Sequence, residues 1–149
     1  MNINKKGFTL VELLAVIVIL AVLILLALPA VLRTMERARD RAFITEANTI
    51  IRAAETARAE HEMTATFLDC YQLTGHTDPR RNLVPEHLTS TSRQGRVVFS
   101  NAGQTVTVSV HNGLTGSRAR WIMGTKEDIG AEGFVPATSA PTGFSLNCT

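Results

Sequence analysis

Lys5-Lys6-Gly7-Phe8-Thr9-Leu10-Val11-Glu12 decides the reading of this chain, because it leads directly into an unbroken apolar run over residues 13–28 and puts one carboxylate at the mouth of that run. Past Pro29 the apolar character continues to Leu32, and the first charge is Arg33. At about 1.5 Å of rise per helical residue the segment is roughly 30 Å long, the thickness of a hydrocarbon core. It can therefore cross a bilayer once. Lys5 and Lys6 precede it with no acidic residue, which favours a cytoplasmic N-terminus, whereas Arg33, Arg37, Arg39 and Arg41 on the far side oppose that bias.

A carboxylate near the end of a spanning helix is uncommon enough to make Glu12 a functional candidate. The competing use is an interfacial glutamate that reaches headgroup water. What decides between them is the combination: basic residues, Gly7, Phe8, a threonine, Glu12 four residues beyond Phe8, and then aliphatics. At Lys6-Gly7-Phe8-Thr9-Leu10-Val11-Glu12-Leu13-Leu14 the chain resembles the type IV prepilin and pseudopilin family. The resemblance extends over about the first third of the chain, to around Glu62.

The resemblance implies a basic leader cut by a membrane-embedded prepilin peptidase between Gly7 and Phe8, N-methylation of Phe8, and retention of the apolar helix in the mature subunit. It implies a structural subunit that sits in membrane lipid as a single-pass inner-membrane protein. An assembly platform with a cytoplasmic ATPase then draws it into a homopolymer of pilin subunits at the cell surface. Glu12 becomes an assembly residue, one helical turn from the amine that cleavage creates. Pro29 matches a family position at which a proline interrupts the helix; physically, a proline removes one hydrogen bond and collides with the preceding turn, so bending or melting over 22–28 is expected. An ordinary secretory signal fits poorly, since it wants a shorter apolar core and small residues before its cut, not Leu28-Pro29-Ala30.

The chain has 149 residues with 15 basic and 13 acidic side chains, and Lys5 and Lys6 account for the whole excess. A mature protein lacking 1–7 is nearly neutral. Beyond the membrane segment the length allows one modest domain. From Arg33 to about Glu62 the spacing of Val31, Met35, Ala38, Ala42, Phe43, Ala47, Ile50, Ala54 and Ala57 predicts an amphipathic helix. Like charges stand four apart at Arg37 and Arg41 and at Glu36 and Asp40, so packing must hold it.

From Met63 the pattern fades into a loop with Gly75, Asp78-Pro79 and Pro85 and a short helix around Glu86 and Leu88. Strands are expected at 97–100, at 105–110 and at 118–123, the last with Ala119, Trp121 and Met123 on one face; Asn101 to Gly103 and Asn112-Gly113 supply the turns. The tail from Gly130 reads as an extended surface segment. The expected fold is α+β and pilin-like: a leader at 1–7, a membrane-spanning and filament-core helix at 8–32, its amphipathic continuation at 33–62, and at 63–149 a loop, a small antiparallel sheet and a tail. Cys70 and Cys148 are the only cysteines, and export predicts one disulfide between them. Similar proteins often fasten a C-terminal region this way, although a first cysteine so soon after the helix departs from the commonest arrangement.

Catalytic, cofactor and metal patterns are not found: His61, His76, His87 and His111 have no zinc-type spacing, and no Cys-x-x-Cys, phosphate loop or nucleophile elbow occurs. Neither enzyme activity nor a cofactor is expected. Arg80, Arg81, Arg93, Arg96, Arg118 and Arg120 are opposed in their stretch only by Glu86, so a basic face that holds DNA through phosphate contacts competes with an ordinary solvated face. Among functions, a type IV pilus subunit is the first expectation. A pseudopilin of a type II secretion or DNA-uptake system shares the same N-terminus, and a single-pass anchored enzyme or binding protein is the rival from another class.

Overall fold

A computed structural model describes residues 8–63, 68–73, 75–83, 93–100 and 103–148. The expected leader, with Gly7, and the expected short helix around Glu86 and Leu88 lie outside the described residues. The chain divides into two units, Met1–Arg39 and Asp40–Thr149, and one helix, α1 (Leu10–Met63), contributes to both.

In the first unit every described side chain from Phe8 to Arg39 is exposed, including the whole apolar run 13–32. This is the one helix among the described residues with the length and composition to cross a membrane. No melting occurs over 22–28, and α1 continues through Pro29. Proline forfeits only its own bond to the carbonyl four residues back, and the ladder on either side persists. The hydroxyl of Thr34 bonds back to the Ala30 carbonyl at 3.0 Å just beyond it.

In the second unit α1 buries Phe43, Ala47, Ile50, Ile51 and Ala54, positions three and four apart that form one stripe. Val31, Met35, Ala38 and Ala42, expected on the same stripe, are exposed. The stripe belongs to the core cluster that includes the inner face of a four-stranded antiparallel sheet in the order β1 (Cys70–Gln72), β2 (Gln94–Ser100), β3 (Thr105–His111), β4 (Trp121–Thr125). Register sets Val97 opposite Val108, Phe99 opposite Val106 and Val110 opposite Ile122, so alternate residues of three strands face the helix together. Tyr71 of β1 is fully buried and meets the Phe99 ring edge-on at 5.9 Å.

Several elements differ from the sequence reading. The third expected strand begins later, at Trp121, and Ile122 is the residue it buries, while Trp121 and Met123 are half-buried. Residues Gly116–Arg118 form a short 3-10 helix that ends at Ala119, so Ala119 is buried outside the strand and the alternation is counted from a different origin. The loop expected after Met63 contains β1, and α2 (Lys126–Gly130), capped by Thr125 and Asp128 in a reciprocal capping box, leads from β4 into the tail. Beyond α2 the tail is irregular, as expected, and is held to the outer edge of β4 by paired backbone bonds between Trp121 and Ala137 at 3.0 and 2.8 Å.

Sheet and loop approach closely at Gly95. A Cβ there would lie 2.7 Å from the Ser109 carbonyl oxygen and 2.7 Å from a Leu73 methyl, and the carbonyl belongs to a paired strand that cannot step aside. Gly95→Ala is expected to lower the free energy of unfolding by about 1 to 3 kcal/mol, the range for overpacking. Gly130→Ala, with nothing within 4 Å of the added carbon, changes it little. Urea unfolding of the detergent-solubilised chain, followed by Trp121 fluorescence, makes the comparison; equal midpoints would refute the close approach.

Candidate functional site

The N-terminus of α1 is built by two side chains. Thr9 is the residue before the helix and Glu12 lies in its first turn. The Thr9 hydroxyl accepts from the Glu12 amide at 3.3 Å, while the Thr9 amide and hydroxyl both donate to Glu12 Oε2, at 2.9 and 2.8 Å. This is a capping box, in which a side chain at each end satisfies a backbone donor that the helix leaves open. The negative group also sits where the helix dipole favours it. Only Oε2 is used; among the described residues Oε1 accepts nothing. Phe8 stands immediately before the box, 86 % exposed. The sequence reading missed the box, although Thr9-x-x-Glu12 is its signature.

At the other end of the chain Cys70 and Cys148 form the disulfide, with Cα atoms 5.8 Å apart across 78 residues of sequence. In the chain-entropy account a loop of that length stabilises by roughly 4 to 5 kcal/mol at most. Two hydrogen bonds support the same attachment: the Cys148 amide donates to Gln72 Oε1 at 3.2 Å, and Arg96 donates to the Asn147 carbonyl at 2.9 Å. Tail, β1 and β2 are thus fastened at one place.

The arginines proposed for a basic face are largely engaged by the protein itself. Arg120 pairs with Asp40 at 2.9 Å, Arg93 with Glu46 and Arg80 with Asp78 at 3.0 Å, and Arg81 reaches the Cys70 carbonyl at 3.5 Å. Arg118 is exposed with no such contact given by the structure. Asp40 and Glu46 belong to α1, as does Glu55, which pairs with Lys126 at 2.6 Å, so three acidic positions of the helix meet bases from the sheet region. The Arg80 guanidinium and amide hold the Asp78 carboxyl below its usual range.

Each described histidine has a partner within the fold. His61 stacks on Tyr71 at 6.1 Å, His76 Nδ1 accepts the Asp78 amide at 2.9 Å, and His111 stacks on Trp121 at 4.7 Å, while His87 lies outside the described residues. No group of three metal-ligating side chains converges among the described residues.

Residues 2–28 match the family model of the prokaryotic N-terminal methylation motif, the signal motif of type IV prepilins. No curated protein and no solved structure gives a match. The motif covers the span and its mouth, and the layout behind it, a long apolar helix with a small four-stranded antiparallel sheet, is pilin-like. Together they support a prepilin of the pilin or pseudopilin kind with a single-pass membrane anchor.

His111 gives a pH dependence. Its Nε2 is buried without a partner among the described residues, and burial pushes its pKa below 6.5 against the upward pull of a backbone bond at Leu114. Between the lowered value and 6.5 the unfolded chain holds a proton that the folded chain does not, so stability rises with pH across that window and is fully present above it. Unfolding midpoints should therefore fall as pH drops below 6.5, and His111→Phe should flatten that slope. An unchanged slope in the variant would show that His111 is not its source.

Proposed function

We propose that this chain is a structural subunit of a type IV pilus: cut after Gly7 by prepilin peptidase, methylated on Phe8, and polymerised with other copies by a membrane platform and its cytoplasmic ATPase. The observation that carries the reading is the prepilin signal motif at 2–28, which takes in the start of an apolar helix whose side chains from 13 to 32 are all exposed. Lipid covers that helix before assembly, and neighbouring helices cover it in the filament. Contacts of this head-to-tail kind, which do not close a ring, give an open polymer. The product is a surface filament, and the chain performs no catalysis.

Glu12 supplies the axial register. Its capping box needs only Thr9 and Glu12, so it survives removal of 1–7, and Oε1 remains open to the methylated amine of an adjacent subunit's Phe8. Inside a filament a lone carboxylate would be costly, whereas an amine partner offsets its desolvation. A pseudopilin of a secretion or DNA-uptake apparatus is the second reading, since the motif is common to both. The Cys70 to Cys148 fastening of the tail favours the pilin.

The test uses a strain whose only copy is altered. Glu12→Ala should still be inserted and cleaved after Gly7, while surface filaments fall by about tenfold or more, as loss of a buried pair costing about 3 to 5 kcal/mol allows. Glu12→Gln keeps an oxygen for the cap and loses the charge, and it should fail in the same way. Normal filament numbers from Glu12→Ala would overturn the assembly role; normal numbers from Glu12→Gln alone would assign it to the helix cap.

A further inference from the structure

The arginines just beyond the span are unlike most of those in the sheet region. Arg33, Arg37 and Arg39 are exposed, and among the described residues their guanidinium groups have no hydrogen bond or ion pair. Arg80, Arg93 and Arg120, by contrast, are spent on Asp78, Glu46 and Asp40. The three unpaired groups lie about 1.5, 7.5 and 10.5 Å along the helix axis beyond Leu32, the last apolar residue of the span. The polar headgroup layer beyond a hydrocarbon core is about 5 to 7 Å deep, and arginine stems bend back along apolar surface to keep the charged end at that level. Arg33 and Arg37 share one helix face, and Arg39 is about 200° round from Arg37, so the charges reach lipids on two sides. Glu36 is the one carboxylate among them.

These charges oppose the basic-inside bias set by Lys5 and Lys6, so they carry a cost in orientation. A gain that offsets it is available at their depth: guanidinium groups grip phosphate oxygens two at a time. We propose that Arg33, Arg37 and Arg39 form a collar that binds the phosphates of anionic phospholipids in the leaflet at the C-terminal end of the span. The collar retains the subunit at a fixed depth until it is withdrawn into the filament. This rests on the membrane-anchored prepilin reading, and the collar acts on the single subunit before any polymer exists.

The test is made on the full chain as a monomer in nanodiscs of equal phosphatidylglycerol and phosphatidylcholine, ejected into a mass spectrometer so that retained lipids are counted. A basic side chain near an anionic leaflet contributes about fivefold, so three arginines less Glu36 should enrich phosphatidylglycerol about tenfold or more among retained lipids. Replacing all three (Arg33→Gln, Arg37→Gln, Arg39→Gln) should lower the enrichment about tenfold, to the level that Lys5, Lys6 and Arg41 retain. These side chains are exposed, so folding is not at stake. Arg52→Gln, an exposed arginine of the second unit, should leave the enrichment intact.

Parity in the unaltered chain, or an enrichment that the triple replacement leaves undiminished, would overturn the collar. Dimers in phosphatidylcholine alone that vanish in the triple variant, with no lipid preference, would also overturn it and assign the arginines to a second copy. Filament formation is not read here, so failure of the collar leaves the pilus reading standing. A chain that makes no filaments can still show the enrichment.

Discussion

The uncovered apolar helix is the constraint on which the rest of the structure depends. Every described side chain of the run 13–32 is exposed. A surface of that extent is favourable only when something removes it from water, and burial of this kind is the largest favourable term available to a protein. A helix satisfies its own backbone groups in lipid, which is why the segment can cross at all. Its N-terminal donors are the exception, and there the Thr9 and Glu12 box meets the need with a charged group whose second oxygen remains open.

Within the second unit α1 changes from an uncovered rod to one wall of a core. Phe43, Ala47, Ile50, Ile51 and Ala54 face a sheet built from short strands that could not bury themselves alone. The three ion pairs from Asp40, Glu46 and Glu55 lie around this contact. Pairs that retain water contact each contribute little to stability, so their effect is chiefly on how the helix is oriented over the sheet. The disulfide acts at a different point, fastening the tail to β1 and thereby closing a loop that holds the whole sheet.

Legibility in the sequence followed the strength of each local signal. The span, its mouth and the strands β2 and β3 were plain because a long apolar run and a strict alternation such as Val106, Val108, Val110 have few competing explanations. The strand β1 was hidden because Cys70, Tyr71 and Gln72 are all buried and so show no alternation. In β4 the true inward residue, Ile122, sits between two larger apolar neighbours, and only the pairing with Val110 reveals which face is which. Both capping boxes were readable as Thr-x-x-acid, at Thr9 and at Thr125, but α2 is too short for periodicity to draw attention to it. The Arg120 to Asp40 pair, 80 residues apart, had no local signal at all.

The most direct measurement is the intact mass of the protein isolated from its own cell. The account requires a chain beginning at Phe8, carrying one added methyl group on its amine, and containing a Cys70 to Cys148 bond, so that reduction adds the mass of two hydrogens. A chain beginning at Met1, or one beginning beyond Ala30 with the apolar helix removed, would contradict it.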